Sequence, residues 1–244
     1  MKPLDLNCDV GEAMGSDAAI MPWITSANIA CGAHAGDEGT MRETMALARE
    51  FGVSVGAHPG FADRANFGRR EISLSAAEIE RLVREQVEAL RAMGEVRHVK
   101  PHGALYNIAA REKKTAEAIA RAVRASDERL VLYGLAGSEL VHAGRACGLR
   151  VAEEVFADRR YRSDGSLVPR SEPNAVIDDA REAVAQVLAM VHDGEVRAVD
   201  GTRVKLVADS ICVHGDGAHA VAFARRIREE LAGAGVRVAA IRSS

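Results

Sequence analysis

The chain has 244 residues, of which 48% are hydrophobic and 27% are charged, so it can bury a sizeable core and is unlike a disordered protein. Its formal net charge is −3, and no long run of lysine or arginine occurs, which argues against a nucleic-acid-binding protein. The N-terminal residues do not resemble a signal peptide, and no apolar run of about 18 residues could span a membrane.

The four cysteines, Cys8, Cys31, Cys147 and Cys212, are scattered and form no C-x-x-C pair. Three of them fall in or at the end of predicted strands. This pattern predicts small buried thiols rather than a disulfide or a zinc–thiolate site, and it suits the reducing cytoplasm, where we expect the protein to reside.

Hydrophobic periodicity predicts strands that alternate with helices along the whole chain. The predicted strands lie at 4–10, from 26 onward, and at 53–57, 97–100, 130–134, 150–156, 209–214 and 237–241. The predicted helices lie at 17–24, 39–51, 75–93, 105–110, 114–125, 137–147, 178–192 and 218–232. Ser75 followed by Glu78 forms a capping box at the start of one helix. Such alternation predicts a parallel sheet with right-handed crossovers.

The strand faces favour a closed barrel over an open sheet. One face of each strand is apolar, as with Ile29 and Val55, whereas the other is small or polar, as with Asn7, Asn28 and Lys100. An unpaired polar group buried beneath helices costs about 1–3 kcal/mol, but polar side chains can meet one another inside a barrel. We therefore predict an α/β fold, an irregular parallel (β/α) barrel of about seven strands, as a single domain over residues 1–244.

Polar residues recur where predicted strands end, which is where parallel α/β folds place their chemistry. A lone histidine is usually structural, but four histidines at four strand ends, each beside a glycine or proline, predict a shared pocket. The strand-end residues are Asp9, Glu12, His34, Asp37, His58, Lys100, His102, His214 and Asp216.

Histidines and carboxylates can bind a divalent cation and activate water, or can transfer protons near neutral pH. Lys100 could hold an anionic group or stabilise an oxyanion. This inventory favours hydrolysis of a C–N or C–O bond. The G-x-S-x-G, G-x-x-x-x-G-K-[ST] and G-x-G-x-x-G motifs are all absent, which argues against a serine hydrolase and against the usual nucleotide sites.

Two polar loops and one turn could contact an anion. The loops, at 61–72 and 158–173, carry Arg64, Arg69, Arg159 and Arg170, which could grip a carboxylate or phosphate; a purely solvated loop remains an alternative. The turn at 134–138 could receive an anion on its N–H groups, or it could be an ordinary strand-to-helix turn. The remaining histidines lie on predicted helices and are expected at the surface or in packing: His142, His192 and His219.

At these residues the sequence closely resembles the LamB/YcsF family of 5-oxoprolinase A subunits. The small departures are Cys8, where the family commonly has alanine, and Arg160, where glycine is usual. The matching stretches are LNCDVGE at 6–12, SANIACGAHAGD at 26–37, GAHP at 56–59, DRANFGR at 63–69, RHVKPHGALYN at 97–107, GLAGSEL at 134–140, EVFADR at 154–159, DGSLVPRS at 164–171 and VHGD at 213–216.

The resemblance implies a barrel similar to the glycoside hydrolase/deacetylase superfamily, and ATP-dependent cleavage of 5-oxoproline to L-glutamate with partner subunits B and C. On this hypothesis B and C activate the lactam with ATP, and this chain opens the ring with water. Asp9 or His34 would be the general base, His102 or His214 the general acid, and Lys100 an oxyanion or phosphate partner. The expected substrate-binding residues are Asn7, Glu12, Asn28, His58, Arg64, Arg159 and Asp216.

Two other functions remain open. Deacetylases of similar fold hold a divalent metal with an aspartate and two histidines, and Asp9, His34 and His58 could take those parts in a metal-dependent amidohydrolase. Alternatively, the chain could be a non-catalytic scaffold. Self-association into a homo-oligomer is compatible with either function.

Overall fold

The structure is a computed structural model that describes residues 3–213 and 220–241. Seven parallel strands close into a barrel in the order β1-β2-β3-β4-β5-β6-β9, and β7 and β8 form a separate antiparallel hairpin. This confirms the predicted fold class. The strands are β1 (Asp5–Val10), β2 (Ser26–Ala30), β3 (Ser54–His58), β4 (His98–Val99), β5 (Val131–Leu135), β6 (Arg150–Phe156), β7 (Glu195–Arg197), β8 (Arg203–Lys205) and β9 (Ser210–Val213).

Helices connect the barrel strands, and their starts follow the capping chemistry of the sequence. Ser75 and Glu78 form the predicted capping box, and Asp37 accepts a hydrogen bond from the Thr40 N–H at 2.8 Å. Asp37 is therefore a helix cap. The helices are α1 (Asp17–Ile20), α2 (Glu38–Phe51), α3 (Ala76–Arg91), α4 (Gly103–Arg111), α5 (Lys113–Ser126), α6 (Glu139–Ala146), α7 (Ala180–His192) and α8 (Ala220–Gly233), with 3₁₀ turns at Met21–Trp23 and Arg64–Asn66.

The two faces of the strands separate as their alternation predicts. Ile29 and Val55 belong to the same buried apolar cluster as Leu105 from α4, so these strand residues pack under the helices. Asn7 and Asn28 have no exposed surface and hydrogen-bond one another from neighbouring strands at 2.7 Å. Polar groups inside the barrel are thus paired with one another, which offsets their burial.

The chain after α8 does not form the predicted final strand at 237–241. Val238 makes only an isolated parallel bridge to Leu4. β1 is already paired with β2 on one side and with β9 on the other, so the closed barrel leaves no free edge for another strand. The hairpin of β7 and β8 was not predicted, because strands of three residues are too short to show a period.

Most residues of both polar loops are exposed or half-buried, but a few buried side chains anchor each of them. Phe61 and Tyr161 each expose only 1% of their surface, and Arg159 exposes 6%. The Tyr161 hydroxyl accepts from the Phe156 N–H at 2.8 Å, which fixes the loop to the end of β6. The four cysteines are unpaired as predicted, and Cys147 alone is not fully buried. In the described part of the chain, no helix is long and apolar enough to cross a membrane.

Candidate functional site

A cavity of about 710 Å³ lies at the carboxyl ends of the barrel strands, within the size range of small-molecule pockets, roughly 300–1,000 Å³. Residues at or just after the ends of β1, β3, β4, β5 and β6 line it. Among the sequence-predicted site residues, those in its wall are Asp9, Glu12, His58, Arg69, Lys100, His102, Arg159 and Arg170.

Lys100 is the charged centre of the site. Its side chain is 3% exposed, and its Nζ lies 2.9 Å from Asp9 Oδ1 and 2.9 Å from Glu154 Oε1. The ammonium also donates to Asn7 Oδ1 at 3.1 Å and lies 3.1 Å from Cys212 Sγ. Burial opposes the charged form, but the neighbouring negative groups outweigh it and hold the pKa of Lys100 well above 10.5. Lys100 is therefore a fixed cation at neutral pH.

Three histidines and a glutamate form a second cluster beside Lys100. Glu12, His34, His58 and His102 each place one potential ligand atom within 4.8 Å of the others. His34 Nε2 lies 3.4 Å from Glu12 Oε1, and His102 Nδ1 lies 3.5 Å from the same oxygen. Asp9 lies at the edge of this group, with Oδ2 at 3.3 Å from His58 Nε2.

Burial keeps two of these histidines neutral. Burial, helped by the charge of His58, lowers the pKa of His34 to about 3. Burial and the neighbouring His58 and His34 likewise lower the pKa of His102 well below 6.5. At neutral pH both rings therefore lack the extra proton that an imidazolium acid would donate.

Asn7 and Asn28 lie inside the barrel rather than in the cavity wall. Asn28 Nδ2 donates to Asp9 Oδ1 at 2.9 Å, and Asn28 Oδ1 lies 2.8 Å from His98 Nε2. Since Asn28 uses its amide hydrogens on Asn7 and Asp9, the His98 ring is the donor in the last contact. This polar layer orients Asp9 and Lys100 from below.

Two of the four predicted arginines, Arg64 and Arg159, have different surroundings. Arg64 is exposed and donates to the carbonyls of Gly32 and Gly36 at 2.8 and 2.7 Å, so it braces the turn after β2. Arg159 is buried and donates to the carbonyls of Ala175 and Val168 at 3.3 and 2.5 Å. Burial and the positive charge of Arg170 lower the pKa of Arg159 to about 10.

In the turn at 134–138, at least one backbone N–H is already used within the protein and cannot bind an anion. The Gly137 N–H donates to Glu153 Oε2 at 2.9 Å, and the Ser138 hydroxyl caps α6 by accepting from the Val141 N–H at 3.4 Å. Both residues nevertheless line the cavity. The remaining two strand-end residues of the prediction, His214 and Asp216, lie outside the described residues.

Two further residues of the site were not singled out from the sequence. Tyr106 donates its hydroxyl to Glu154 Oε2 at 2.7 Å, and Glu154 contacts Lys100 through its other oxygen. Glu154 pairs across the sheet with Ser210, a residue of the polar strand face. The sequence does contain a sign of this role, because a glutamate on the inward face of β6 is unusual. Recognising that Glu154 faces inward, however, requires the register of β6 against its neighbours.

Comparison with known proteins gives a consistent family. The profile of the LamB/YcsF family matches residues 4–244. Two relatives bear the name of the 5-oxoprolinase A subunit. The one from Brevibacillus brevis is 54% identical, covering 98% of both chains, and the one from Tolumonas auensis is 55% identical, covering 99% of this chain and 100% of the relative.

A crystal structure of a lactam utilization protein from Thermus thermophilus superposes with a TM-score of 0.91 at 45% identity. The superposition covers 99% of this chain and 100% of the other. The barrel, and with it the placement of the strand ends, is therefore shared over essentially the whole length of both proteins.

Proposed function

The chain belongs to the LamB/YcsF family, and on this basis we propose that it provides the ring-opening component of an ATP-dependent 5-oxoprolinase. In this proposal it acts with subunits B and C to convert 5-oxoproline to L-glutamate. The observation that carries the proposal is a cavity at the strand ends whose wall holds a buried ammonium, Lys100, beside the carboxylate of Asp9. The full-length relatives that are named as 5-oxoprolinase components support the same activity.

A lactam is a stable amide, so the ring must be activated before water can attack it. Transfer of the ATP γ-phosphoryl group to the amide oxygen would make the ring carbon electrophilic. Water then adds to this carbon, the C–N bond breaks, and the ring nitrogen takes up a proton, which leaves an acyl phosphate. A second water hydrolyses this acyl phosphate to the carboxylate and phosphate. The products are L-glutamate, ADP and phosphate. Because this chain lacks the usual nucleotide motifs, we assign ATP binding to the partner subunits and ring opening to this chain.

Asp9 is the better placed of the two candidate bases. Its side chain is 12% exposed and lies in the cavity wall, whereas the side chain of His34 has no exposed surface. A histidine with a pKa of about 3 is also a weak base. Lys100, as a fixed cation, would stabilise the developing oxyanion or the phosphoryl group. The acid is His102 or His214, and the low pKa of His102 counts against an imidazolium acid there.

The arginines of the loop after β6 suit the carboxylate of the substrate. Arg159 and Arg170 both line the cavity and are close enough for the charge of one to lower the pKa of the other. An anion bound between two like charges relieves their repulsion. Glu12 and His58 share the cavity wall, while Asn7, Asn28 and Arg64 would act through the groups and turns that they hold in place.

The test is the reconstituted complex of this chain with subunits B and C. We expect Asp9→Asn, which is nearly isosteric, to lower kcat for 5-oxoproline-dependent glutamate formation at least about 100-fold, as loss of a general base does. The exposed Asp178→Asn serves as the control and should retain full activity. Unchanged activity in Asp9→Asn would favour the scaffold function. Hydrolysis by this chain alone with ATP would contradict the assignment of activation to B and C.

A metal-dependent amidohydrolase is the second candidate, and the cluster of Glu12, His34, His58 and His102 favours it. A divalent cation there would polarise a carbonyl or supply activated water. Loss of activity with a chelator, and its return with metal, would separate this function from metal-free ring opening.

A further inference from the structure

The cluster beside the cavity has the features of a metal centre, in a ligand set that differs from the one expected from the fold. We propose that Glu12, His34, His58 and His102 bind one divalent transition-metal ion of the zinc type. The proposal concerns this chain's own affinity for the ion and stands whether or not the chain acts on 5-oxoproline. Three imidazoles and one carboxylate are a donor set that suits Zn²⁺ and its neighbours in the first transition series.

The first argument is the direction of the lone pairs. His58 Nδ1 lies 2.7 Å from the Lys100 carbonyl oxygen, and His102 Nε2 lies 2.9 Å from the Phe67 carbonyl oxygen. A carbonyl can only accept, so each ring donates an N–H there, and in its neutral form it carries a bare lone pair on its other nitrogen. These two bare nitrogens, His58 Nε2 and His102 Nδ1, face one another at 3.0 Å.

With both rings neutral, two lone pairs at that distance repel, so the contact needs either a shared proton or a metal ion between the rings. A backbone carbonyl that fixes the tautomer of a histidine is also the usual outer-shell partner of a metal-bound imidazole. The structure thus supplies both the ligand atoms and the groups that hold them in the metal-binding tautomer.

The second argument is the spacing of the ligand atoms. In a tetrahedral site with bonds of about 2.0–2.1 Å, neighbouring ligand atoms are about 3.4 Å apart. The measured separations are 3.0 Å between the facing nitrogens of His58 and His102, 3.4 Å from His34 Nε2 to Glu12 Oε1, and 3.5 Å from His102 Nδ1 to Glu12 Oε1. These three separations are close to the distance that the ion requires, and since all four ligand atoms lie within 4.8 Å of one another, small side-chain movements would bring the remaining pairs to it.

The third argument is the environment of His34. Within the part of the chain that the structure describes, neither ring nitrogen of this buried residue has a hydrogen-bond partner. Burying an imidazole without a hydrogen bond costs about 1–3 kcal/mol, and a bound metal ion would offset this cost. The ring stacks on His102 with centroids 3.8 Å apart, so it must tilt out of the stack for both rings to reach the same ion.

Two glycines make room for this ring. A Cβ at Gly60 would lie 2.7 Å from His34 Nδ1, and a Cβ at Gly68 would lie 2.8 Å from His34 Cβ. Any other residue at Gly60 would therefore displace the imidazole. The backbone around His34 is shaped for the side chain, although no hydrogen bond fixes the ring.

The proposed ligand set excludes Asp9. Its Oδ1 is engaged by Lys100 and Asn28 at 2.9 Å each, and an ammonium at hydrogen-bond distance competes with a metal for the same carboxylate. This distinguishes the proposal from a centre built from Asp9, His34 and His58. Asp9 instead contacts His58 from the side, with Oδ2 at 3.3 Å from Nε2.

The test is metal binding by the full-length protein after treatment with a chelator and dialysis. Titration with Zn²⁺ should show one equivalent bound, and Co²⁺ should give the intense visible bands of a four-coordinate centre rather than the weak bands of a six-coordinate one. We expect Glu12→Gln to weaken Zn²⁺ at least tenfold, whereas Asp9→Asn should change the affinity less than threefold. His192→Asn, on an exposed helix position, is the matched control.

Gly60→Ala provides a variant that removes no ligand, and it should also weaken Zn²⁺ at least tenfold. Circular dichroism and thermal unfolding in the presence of chelator establish that each variant is folded. If Glu12→Gln fails to fold, His34→Asn replaces it with the same expectation. Binding of no metal by the wild-type protein, or a tenfold loss in Asp9→Asn with none in Glu12→Gln, would overturn the proposal. Neither result would bear on metal-free ring opening in the reconstituted complex, whereas binding of no metal would also count against the metal-dependent amidohydrolase.

Discussion

Lys100 shows how a charge can be buried in the barrel and stay charged. An isolated ammonium inside a protein would lose its proton, but Asp9 and Glu154 each lie 2.9 Å away and Asn7 supplies a further acceptor. The cost of removing three charged groups from water is offset only when every one of them keeps its partners. The site is therefore sensitive to changes that remove one charge and leave the others buried.

Glu154→Gln tests this dependence. The change leaves Lys100 with one carboxylate instead of two, and removing one partner of a buried ion pair costs about 3 kcal/mol. We expect a loss of this size in the free energy of unfolding, measured with urea at neutral pH. Glu182→Gln removes the exposed partner of Arg160 and should cost less than about 1 kcal/mol. Equal losses in the two variants would show that Glu154 is not essential for burying Lys100.

The same variant should change the pH range of stability. The folded-state pKa of Lys100 is raised above 10.5, so its ion pairs stabilise the protein fully below that pH, and the stabilisation is lost as the pH rises through the raised value. Without the charge of Glu154, the pKa of Lys100 falls toward 10.5, so less stability is lost above about pH 10.5 in the variant than in the wild type. Urea unfolding between about pH 9 and 11.5 measures the difference, and equal alkaline losses in wild type and Glu154→Gln would contradict it.

His98 makes stability depend on pH at the acid end. Burial, with the charge of Lys100, lowers its pKa to about 3, while the unfolded chain titrates near 6.5. The unfolded state therefore binds more protons in this window, and stability falls as the pH drops from about 6.5 toward 3. At about pH 5 the loss from this residue is about 2 kcal/mol. Urea unfolding of His98→Gln should show a shallower acid loss than His192→Gln, and identical slopes would disprove the assignment.

At the scale of the elements, the alternation of polar and apolar residues along each strand predicts which side chains face the interior of the barrel. Asn7, Asn28 and Lys100 could be placed on one inward face from the sequence because a strand has a strict period of two. The contacts among them could not be derived, because they depend on the stagger between strands. Glu154 was missed for this reason, since only its register opposite Ser210 brings it to Lys100. The hairpin of β7 and β8 was missed because three-residue strands show no period.

One glycine in β3, Gly56, leaves the space inside the barrel that the His98 ring of the polar layer occupies. A Cβ at Gly56 would lie 2.1 Å from His98 Nε2, so the ring occupies the space that any other side chain would need. We expect Gly56→Ala to destabilise the protein by about 3 kcal/mol, at the upper end of overpacking, and to lower Tm. Gly233→Ala, at the end of α8 where no atom lies within 4 Å of the added Cβ, should be neutral or slightly stabilising. Equal Tm values for the two variants would contradict the close approach.

At the scale of the whole molecule, the barrel collects strand ends that are far apart in sequence. The fold class and most helix and strand bounds followed from periodicity, capping and glycine positions. The grouping of Asp9, His58 and His102 in one cavity followed because parallel strands end on the same side of a barrel. The hydrogen-bond partner of each side chain could not be predicted from the sequence. Bonds such as that between His58 and the Lys100 carbonyl depend on side-chain and backbone angles that the sequence pattern does not give.

The cavity wall carries carboxylates beside the histidines, and arginines in the loop after β6, which has a consequence for substrate binding. Asp9 and Glu12 lie with the histidines, whereas Arg159 and Arg170 lie in the loop after β6. In the described part of the chain, Arg170 is exposed and makes no hydrogen bond or ion pair, so it is available to an incoming carboxylate. This arrangement would orient a lactam acid with its carboxylate toward the loop and its ring toward Lys100.

Arg170→Gln should therefore raise KM for 5-oxoproline in the reconstituted complex about tenfold and leave kcat within twofold, because a hydrogen bond to a charged group is worth about 1.5 kcal/mol or more. The rise should shrink as salt is added, since an exposed charge is screened. Arg181→Gln, an exposed position on α7 outside the cavity, is the control for net charge and should leave KM unchanged. A fall in kcat at constant KM would place Arg170 in the chemical step instead, and an unchanged KM would mean that the carboxylate binds elsewhere in the cavity.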